Sequence, residues 1–123
     1  MIGYITLGSN DVQASAAFYD QLFSEVGATR LWDMPSFVAW SKGDDSPFFA
    51  ITTPNNKEAA TVGNGVMIAI QSPDLETVDL IHSKAIKLGS ANEGDPGLRQ
   101  AGYYCAYLRD LDGNKLNFYC VKK

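Results

Sequence analysis

The sequence predicts an α+β fold in which two βαβββ modules form a curved mixed sheet. The first observation is an internal repeat, because Tyr4 and the residues after it match Met67 and its successors in type. The second is that each module alone would leave one apolar sheet face uncovered. We therefore expect a single domain, 1–123, with modules at 1–56 and 62–123.

The first module begins with a strand and a helix. Residues 4–7 are strand-like, and the polar run 8–11 is typical of a helix start. Apolar residues then recur at helical spacing, and Gly27 is placed to end that helix. This stripe consists of Val12, Ala16, Tyr19, Phe23 and Val26. Three strand-like runs separated by turn residues follow, at 30–32, 37–40 and 48–52.

The second module repeats this order after a polar connection. Residues 66–70 are strand-like, and Ser72 is expected to cap a helix that has Pro73 and Asp74 in its first turn. Gly89 is placed to end this helix. Its apolar stripe consists of Leu75, Val78, Ala85 and Ile86.

The C-terminal part predicts a loop and a hairpin. Residues 93–100 are rich in glycine and are expected to form a flap at the mouth of a binding site. Two strand-like runs, 101–109 and 115–121, flank an Asp-Gly pair, which is the strongest short hairpin signal. The arginine that ends the first run is expected to pair with an aspartate of the turn.

The composition excludes several classes of partner. Ten Lys and Arg against fourteen Asp and Glu give a net charge of -4 with no basic block, so we expect no nucleic-acid partner. The longest apolar run is too short for a bilayer span and the N-terminus lacks a basic signal region, so we expect a cytoplasmic protein with no membrane partner. Cys105 and Cys120 are expected to be free thiols on strands.

Three segments resemble the vicinal oxygen chelate superfamily, which includes glyoxalase I, extradiol dioxygenases, and fosfomycin- and bleomycin-resistance proteins. They are Gly8–Val12 after the first strand, Ala17–Tyr19 on the first helix and Arg109–Leu116 near the C-terminus. The resemblance covers essentially the whole chain. It implies the glyoxalase/bleomycin resistance/dioxygenase-like fold of paired βαβββ modules, a homodimer, and a cup-shaped site.

The resemblance also indicates where metal-using members place their ligands. Those positions correspond to Tyr4 and Met67 on the first strand of each module, to Asn117 on the last strand, and to a residue near Phe49. A divalent first-row metal prefers imidazole, thiolate or carboxylate donors, and none of these side chains offers one. His82 does not replace them, because it shares the apolar stripe of the second helix. We therefore expect no metal and no cofactor.

These positions suit an organic ligand instead. Tyr4 and Asn117 could hydrogen-bond it, Met67 could contact it, and Arg99 could clamp a carboxylate or phosphate. By strand alternation, about half of the strand aromatics should face the ligand. The candidate ligand-binding residues are Tyr4, Phe49, Met67, Arg99, Tyr104 and Asn117. No catalytic residue is assigned.

Three functions stay open on the sequence alone. The first is metal-free binding of a small organic molecule, in the manner of the sequestering bleomycin-resistance proteins. The second is an enzyme, either a glyoxalase-like lyase or dioxygenase with a displaced metal site, or a metal-free isomerase with Tyr4 as acid and Asn117 as oxyanion donor. The third is a regulatory module that binds a partner and has a vestigial cup.

Overall fold

A computed structural model describes residues 1–122 of the chain. The chain divides into two compact units, Met1–Val62 and Gly63–Lys123. Each unit contains a four-stranded mixed sheet and a long α-helix. The α+β class and the repeated βαβββ order are thereby confirmed.

The first unit has its helix between the first two strands in the chain. Its elements are β1 (Tyr4–Gly8), α1 (Val12–Phe23), a 3-10 turn (Ser24–Val26), β2 (Thr29–Met34), β3 (Phe37–Ser41) and β4 (Phe48–Thr52). The strand order is β1-β4-β3-β2, with β1 parallel to β4 and the remaining pairs antiparallel. This is the right order for one helix to cover one face of the sheet.

Aromatic side chains fill the space between α1 and its sheet. The Tyr19 ring centre lies 5.6 Å from that of Trp40 and 4.9 Å from that of Phe49. Trp40 Nε1 donates to Asp20 Oδ1 at 2.9 Å, and Arg30 forms an ion pair with the same carboxylate at 2.7 Å. The helix is therefore attached to the sheet by apolar packing and by a polar clamp at its edge.

The second unit follows the same plan. Its elements are β5 (Ile68–Gln71), α2 (Leu75–Lys87), β6 (Ala91–Leu98), a 3-10 turn (Gln100–Gly102), β7 (Tyr103–Arg109) and β8 (Lys115–Val121). The strand order is β5-β8-β7-β6, again with one parallel pair, β5 and β8. The Asp-Gly hairpin joins β7 to β8 as expected, and Gly113 adopts a positive φ of 90° there.

The core of the second unit is mainly aliphatic. Its fully buried side chains are Val78, Ile81, Ala85, Ala106, Leu108, Leu116 and Phe118. His82 is buried among them with Nε2 3.0 Å from Asn92 Oδ1, so it is a hydrogen-bonded core residue as expected. Ile86, predicted in the apolar stripe, is exposed, because it lies one helical step of about 100° beyond Ala85.

Aspartates cap both helices at equivalent places. Asp11 accepts from Ala14 N at 3.1 Å, and Asp74 accepts from Thr77 N at 2.8 Å. The expected cap at Ser72 is wrong by two residues, since Asp74 is the cap and Pro73 precedes it. The Ser72 hydroxyl is instead buried without a hydrogen-bond partner among residues 1–122.

Residues 93–100 do not form the expected flap. Most of them belong to β6, which pairs with β7 across two irregularities, between Asn92 and Gly94 and between Gly94 and Gly97. Glycine in this segment therefore marks bulges rather than a loop. The expected partner of Arg109 is also corrected, because its Nε donates to Glu93 of β6 and its Nη1 to the Gly113 carbonyl at 3.0 Å.

Two other expectations can be compared with the structure. Cys105 and Cys120 are buried free thiols on β7 and β8, as predicted. Over residues 1–122, neither helix combines the length and apolar character that a membrane crossing requires.

Candidate functional site

The candidate site lies on the face of the second sheet that points away from α2, here called the distal face. Strand alternation divides β7 between the two faces. Tyr104 packs with the core beside α2, whereas Tyr103, Cys105 and Tyr107 point to the distal face. On β8, Asn117 lies directly opposite Tyr107 in the antiparallel register and shares this face.

A cavity of about 620 Å³ opens on the distal face. Its lining residues are Arg99, Gln100, Tyr103, Cys105, Tyr107 and Asn117. All of them come from β7, β8 and the segment that joins β6 to β7. The β7–β8 hairpin and the segment before it thus supply an aromatic surface, a thiol, two amides and a cation at one place.

Asn117 is a buried polar residue among those that line this cavity. It is 6% exposed, and its Oδ1 is buried without a hydrogen-bond partner among the described residues. Most buried polar groups in proteins are hydrogen-bonded, and those that are not require an explanation. The cavity next to Asn117 provides one, because a bound molecule could donate to this oxygen.

Tyr107 is surrounded by groups that alter its acidity. Its hydrogen bond with Cys105 raises the pKa of the Tyr107 phenol, and burial acts in the same direction, while Arg99 opposes both. The Arg99 guanidinium lies 5.4 Å from the Tyr107 ring centre, and Lys115 Nζ lies 5.5 Å from it. Tyr107 therefore stays a neutral phenol at physiological pH and serves as a platform for two cations.

Two glycines of β6 leave room for this arrangement. A Cβ atom at Gly94 would lie 2.9 Å from Tyr107 Cδ2, and one at Gly97 would lie 2.8 Å from Arg99 Nη1. Arg99 is held over the strand by its Nη2, which donates to the Asp95 carbonyl at 2.9 Å. The bare backbone at these two positions thus allows ring and guanidinium to sit close against β6.

The structure brings together some of the predicted site residues of the second module. Arg99 and Asn117 both line the cavity. Met67 precedes β5 and does not line it, although it is 39% exposed. Tyr104 is directed to the helix side, where its hydroxyl donates to Asp79 Oδ1 at 2.6 Å and this bond raises the pKa of the phenol.

The predicted residues of the first module lie on opposite faces of their own sheet. Tyr4 is 59% exposed and stacks on Phe48, with ring centres 4.5 Å apart and an interplanar angle of 2°. Phe49 is instead buried against Tyr19 on the side of α1. Strand alternation explains the difference, because the neighbouring residue, Phe48, takes the position away from the helix.

The first unit has a cavity of its own on that face, of about 900 Å³. Trp32, Met34 and Phe37 form its apolar part, and Lys57 supplies a charge. Trp32 is 48% exposed and its ring centre lies 5.0 Å from that of Phe48. The aromatic rings here contact one another.

Three residues that line the cavity were not predicted as site residues from the sequence, namely Tyr103, Cys105 and Tyr107. The signal that would have predicted them is the alternation along β7. Ala106 and Leu108 are small and aliphatic and match the apolar stripe of α2. Placing them against the helix puts the odd-numbered residues of this strand on the distal face.

The residues at the implied metal-ligand positions do not fit a divalent metal ion. Phe49 is a buried ring, Tyr4 is a stacked phenol, and Asn117 offers a neutral amide. Such donors compete poorly with imidazole, thiolate or carboxylate. Within residues 1–122, no three His, Cys, Asp or Glu side chains are grouped so that they could hold a metal ion.

No protein-family model and no curated protein matches the chain. Several solved structures do match it. A glyoxalase/bleomycin resistance protein from Albidiferax ferrireducens T118 is 31% identical, with 99% of each chain covered and a TM-score of 0.90. A hypothetical protein from S. aureus is 25% identical, with 98% of this chain and 92% of that chain covered and a TM-score of 0.75.

A glyoxalase/bleomycin resistance protein/dioxygenase family enzyme from Burkholderia phytofirmans PsJN is 21% identical over 98% of both chains, with a TM-score of 0.79. At that identity the likeness shows the fold alone. The first relative exceeds it in identity and covers nearly the full length of both chains. The chain described here therefore belongs to the glyoxalase/bleomycin resistance/dioxygenase family of the vicinal oxygen chelate superfamily.

Proposed function

We propose that the chain binds a small organic molecule on the distal face of its second unit, without the help of a metal ion. The observation that carries this proposal is the buried Asn117 Oδ1, which has no hydrogen-bond partner among residues 1–122. Leaving such an acceptor unsatisfied costs about 1–3 kcal/mol. A ligand that donates to it recovers this free energy, and Tyr103 and Tyr107 offer it aromatic surface.

The relative from Albidiferax ferrireducens supports an organic ligand, since it is named a glyoxalase/bleomycin resistance protein. A metal-dependent lyase or dioxygenase would need ligands that the present side chains do not supply. Binding through hydrogen bonds and aromatic contacts is the function that the distal face of the second unit supports best.

The proposal is tested by titrating the isotopically labelled chain with phenol, 4-hydroxybenzyl alcohol and 4-hydroxybenzoate and recording amide chemical shifts. We expect saturable shifts centred on residues 103–107 and on Asn117. Asn117→Leu should lower the affinity for the tightest-binding of these probes about tenfold, because one hydrogen bond to a buried group is lost. Asn56→Leu, at an exposed asparagine of the first unit, is the control and should change nothing.

Two results would contradict the proposal. One is the absence of saturable shifts at this cavity with all three probes at millimolar concentration. The other is an affinity that Asn117→Leu and Asn56→Leu leave equally unchanged.

The metal-free character has a separate test. Treatment with EDTA should leave the affinity for these probes and the thermal midpoint unchanged, and elemental analysis of the purified chain should find substoichiometric divalent metal. One tightly held ion per chain, with loss of binding on chelation, would show that other donors have replaced the missing ligands.

The cytoplasmic location and the homodimer stay predictions from the sequence and the resemblance. Light scattering during size-exclusion chromatography measures the second directly. A molar mass equal to that of one chain at all micromolar protein concentrations would contradict the homodimer.

A further inference from the structure

The charge of the cavity on the second unit differs from that of the chain. The whole chain carries a net charge of -4. Among the six lining residues, however, Arg99 is a cation and none is an acid. Lys115 Nζ lies 5.5 Å from the Tyr107 ring centre, and its charge is partly offset by Glu93. The cavity is therefore a local positive site on an acidic protein, which favours anionic over neutral or cationic ligands.

Arg99 is also distinct from the other two arginines of the chain. Arg30 pairs with Asp20, and Arg109 pairs with Glu93. Arg99 donates to the carbonyl oxygens of Asp95 and Leu98 and hydrogen-bonds with Tyr107, and no carboxylate of the described residues forms an ion pair with it. A guanidinium has five N–H donors in a fixed fork, so Arg99 keeps donors for an anionic oxygen group.

Asn117 supplies a second group that a ligand could contact, next to Tyr107 on the neighbouring strand. Tyr107 and Asn117 are direct cross-strand partners, so their Cβ atoms are about 5 Å apart. The guanidinium of Arg99 lies 5.4 Å from the ring centre of the same tyrosine. The Arg99 guanidinium, which can bind an anion, and the buried acceptor of Asn117 are thus both neighbours of the Tyr107 side chain.

Resting on the proposed function, we infer that the ligand of this cavity is a small organic anion that also carries a hydrogen-bond donor. Its anionic group binds Arg99, its hydroxyl or N–H group donates to Asn117 Oδ1, and its body lies along Tyr107. A carboxylate and a phosphonate or phosphate share the required chemistry, since both present oxygens to a guanidinium. A ligand without the anion or without the donor leaves one of the two ends unsatisfied.

The inference is tested with a matched set of probes on the full chain. The set comprises 4-hydroxybenzoate, 4-hydroxyphenylphosphonate, the neutral 4-hydroxybenzyl alcohol, and 4-methoxybenzoate, which keeps the anion but lacks the donor. In isothermal titration at low salt, we expect the first two to bind about tenfold more tightly than either of the others. The better of the two identifies the type of anion.

Two variants test which residue causes the preference for the anionic group and which causes the preference for the hydrogen-bond donor. Arg99→Gln should remove the advantage of 4-hydroxybenzoate over the neutral alcohol, and Asn117→Leu should remove its advantage over 4-methoxybenzoate. Lys87→Gln, which removes an exposed cation at the end of α2, is the control for net charge and should leave both preferences intact. Raising the salt concentration should reduce the first preference and leave the second, because Arg99 is exposed and Asn117 is buried.

The outcomes separate this inference from the proposed function. If all four probes bind equally at the cavity, the inference is wrong while small-molecule binding stands. A preference for the anion that Arg99→Gln does not reduce, or tighter binding of 4-methoxybenzoate than of 4-hydroxybenzoate, also overturns the inference. If none of the probes binds at this face, the proposed function itself fails.

Discussion

The two units place their aromatic and polar residues differently on the same βαβββ plan. In the first unit the space between helix and sheet is filled by rings, with Tyr19 in contact with Trp40 and Phe49. In the second unit the corresponding space is mainly aliphatic, with Val78 and Leu108 fully buried. The repeat therefore preserves strand order and helix caps, while the packing inside each unit is solved independently.

The faces away from the helices differ in a way that bears on function. In the first unit, Tyr4 and Trp32 both pack against Phe48, so the exposed rings satisfy one another. In the second unit, Arg99 lacks a carboxylate partner and Asn117 Oδ1 lacks a donor among residues 1–122. Unsatisfied polar groups beside a cavity indicate a binding site more strongly than mutually packed rings do.

The largest expected loss of stability comes from disrupting the aromatic core of the first unit. Trp40→Ala removes a ring that is 2% exposed together with its hydrogen bond to Asp20, and should lower the free energy of unfolding by about 3–5 kcal/mol. Trp32→Ala is the control within the same unit, since this tryptophan is half exposed, and should cost less than half as much. Urea unfolding measures both, and equal losses would contradict the assignment of Trp40 to the core.

A smaller effect compares two buried asparagines of the second unit. Asn114 Nδ2 donates to Asp110 Oδ2 at 3.0 Å, whereas Asn117 Oδ1 has no donor in the described part of the chain. Asn114→Leu should therefore destabilise the protein by about 1–3 kcal/mol. Asn117→Leu should leave the thermal midpoint unchanged or raise it, because it removes an unsatisfied acceptor. A loss of stability at Asn117 comparable to that at Asn114 would show that its amide is satisfied in the free protein.

The polar clamp of the first unit predicts a pH dependence. The hydrogen bonds from Arg30 lower the pKa of Asp20 below its ordinary value of 3.8. A lowered folded-state pKa means that the stabilisation is present above 3.8 and is lost as the pH falls through the folded value. Asp20→Asn should cost less than about 1 kcal/mol at pH 6, because the pair is partly exposed. The difference from the wild type should narrow below pH 3.8, and a difference that widens there would contradict the sign.

Glu93 provides the matching case in the second unit. Arg109 lowers the pKa of Glu93 from its ordinary 4.5. The difference between the wild type and Glu93→Gln should therefore narrow in the same direction, beginning at a higher pH than for Asp20. Thermal midpoints recorded across this pH range compare the Arg30–Asp20 and Arg109–Glu93 ion pairs directly.

The smallest expected change in stability is that of Gly97→Ala, which tests the position of Arg99 at the distal cavity. A Cβ atom at Gly97 meets the flexible end of Arg99, so Gly97→Ala should shift the guanidinium at little cost to folding. We expect the preference for 4-hydroxybenzoate over its neutral analogue to fall several-fold, while the thermal midpoint changes by less than about 2 °C. An unchanged preference would show that the position of Arg99 over Tyr107 is not required for binding the anion.

The fold could be predicted from patterns that act locally. Helical stripes and the Asp-Gly hairpin depend on neighbouring residues, and both recur in the structure, whereas the cap of α2 is Asp74 and not the predicted Ser72. β6 could not be predicted in this way, because Gly94 and Pro96 discourage regular strands and are accommodated only through bulges in the pairing with β7. Tertiary pairing with β7 therefore decided a strand that local sequence patterns did not predict.

The candidate site was predicted only in part for the same reason. Arg99 and Asn117 were found through chemistry and through the resemblance, and both line the cavity. Tyr104 was predicted instead of Tyr103 or Tyr107 because tyrosines on one strand differ only in the face that they occupy, and that face is set by packing against α2. The missing partner of Asn117 depends on every neighbour in space, which local sequence patterns do not report.

The placement of the two buried thiols has a consequence for the chemistry of the second unit. Cys105 pairs with Tyr119 in the β7–β8 register, whereas Cys120 pairs with Tyr104, so the two sulfurs point to opposite faces of one hairpin. Oxidants cannot crosslink them while the hairpin is intact. A maleimide that reaches Cys105 reports an opening of the distal cavity, and one that reaches Cys120 reports detachment of α2. The two alkylation rates would therefore measure local opening separately on the two faces of a single sheet.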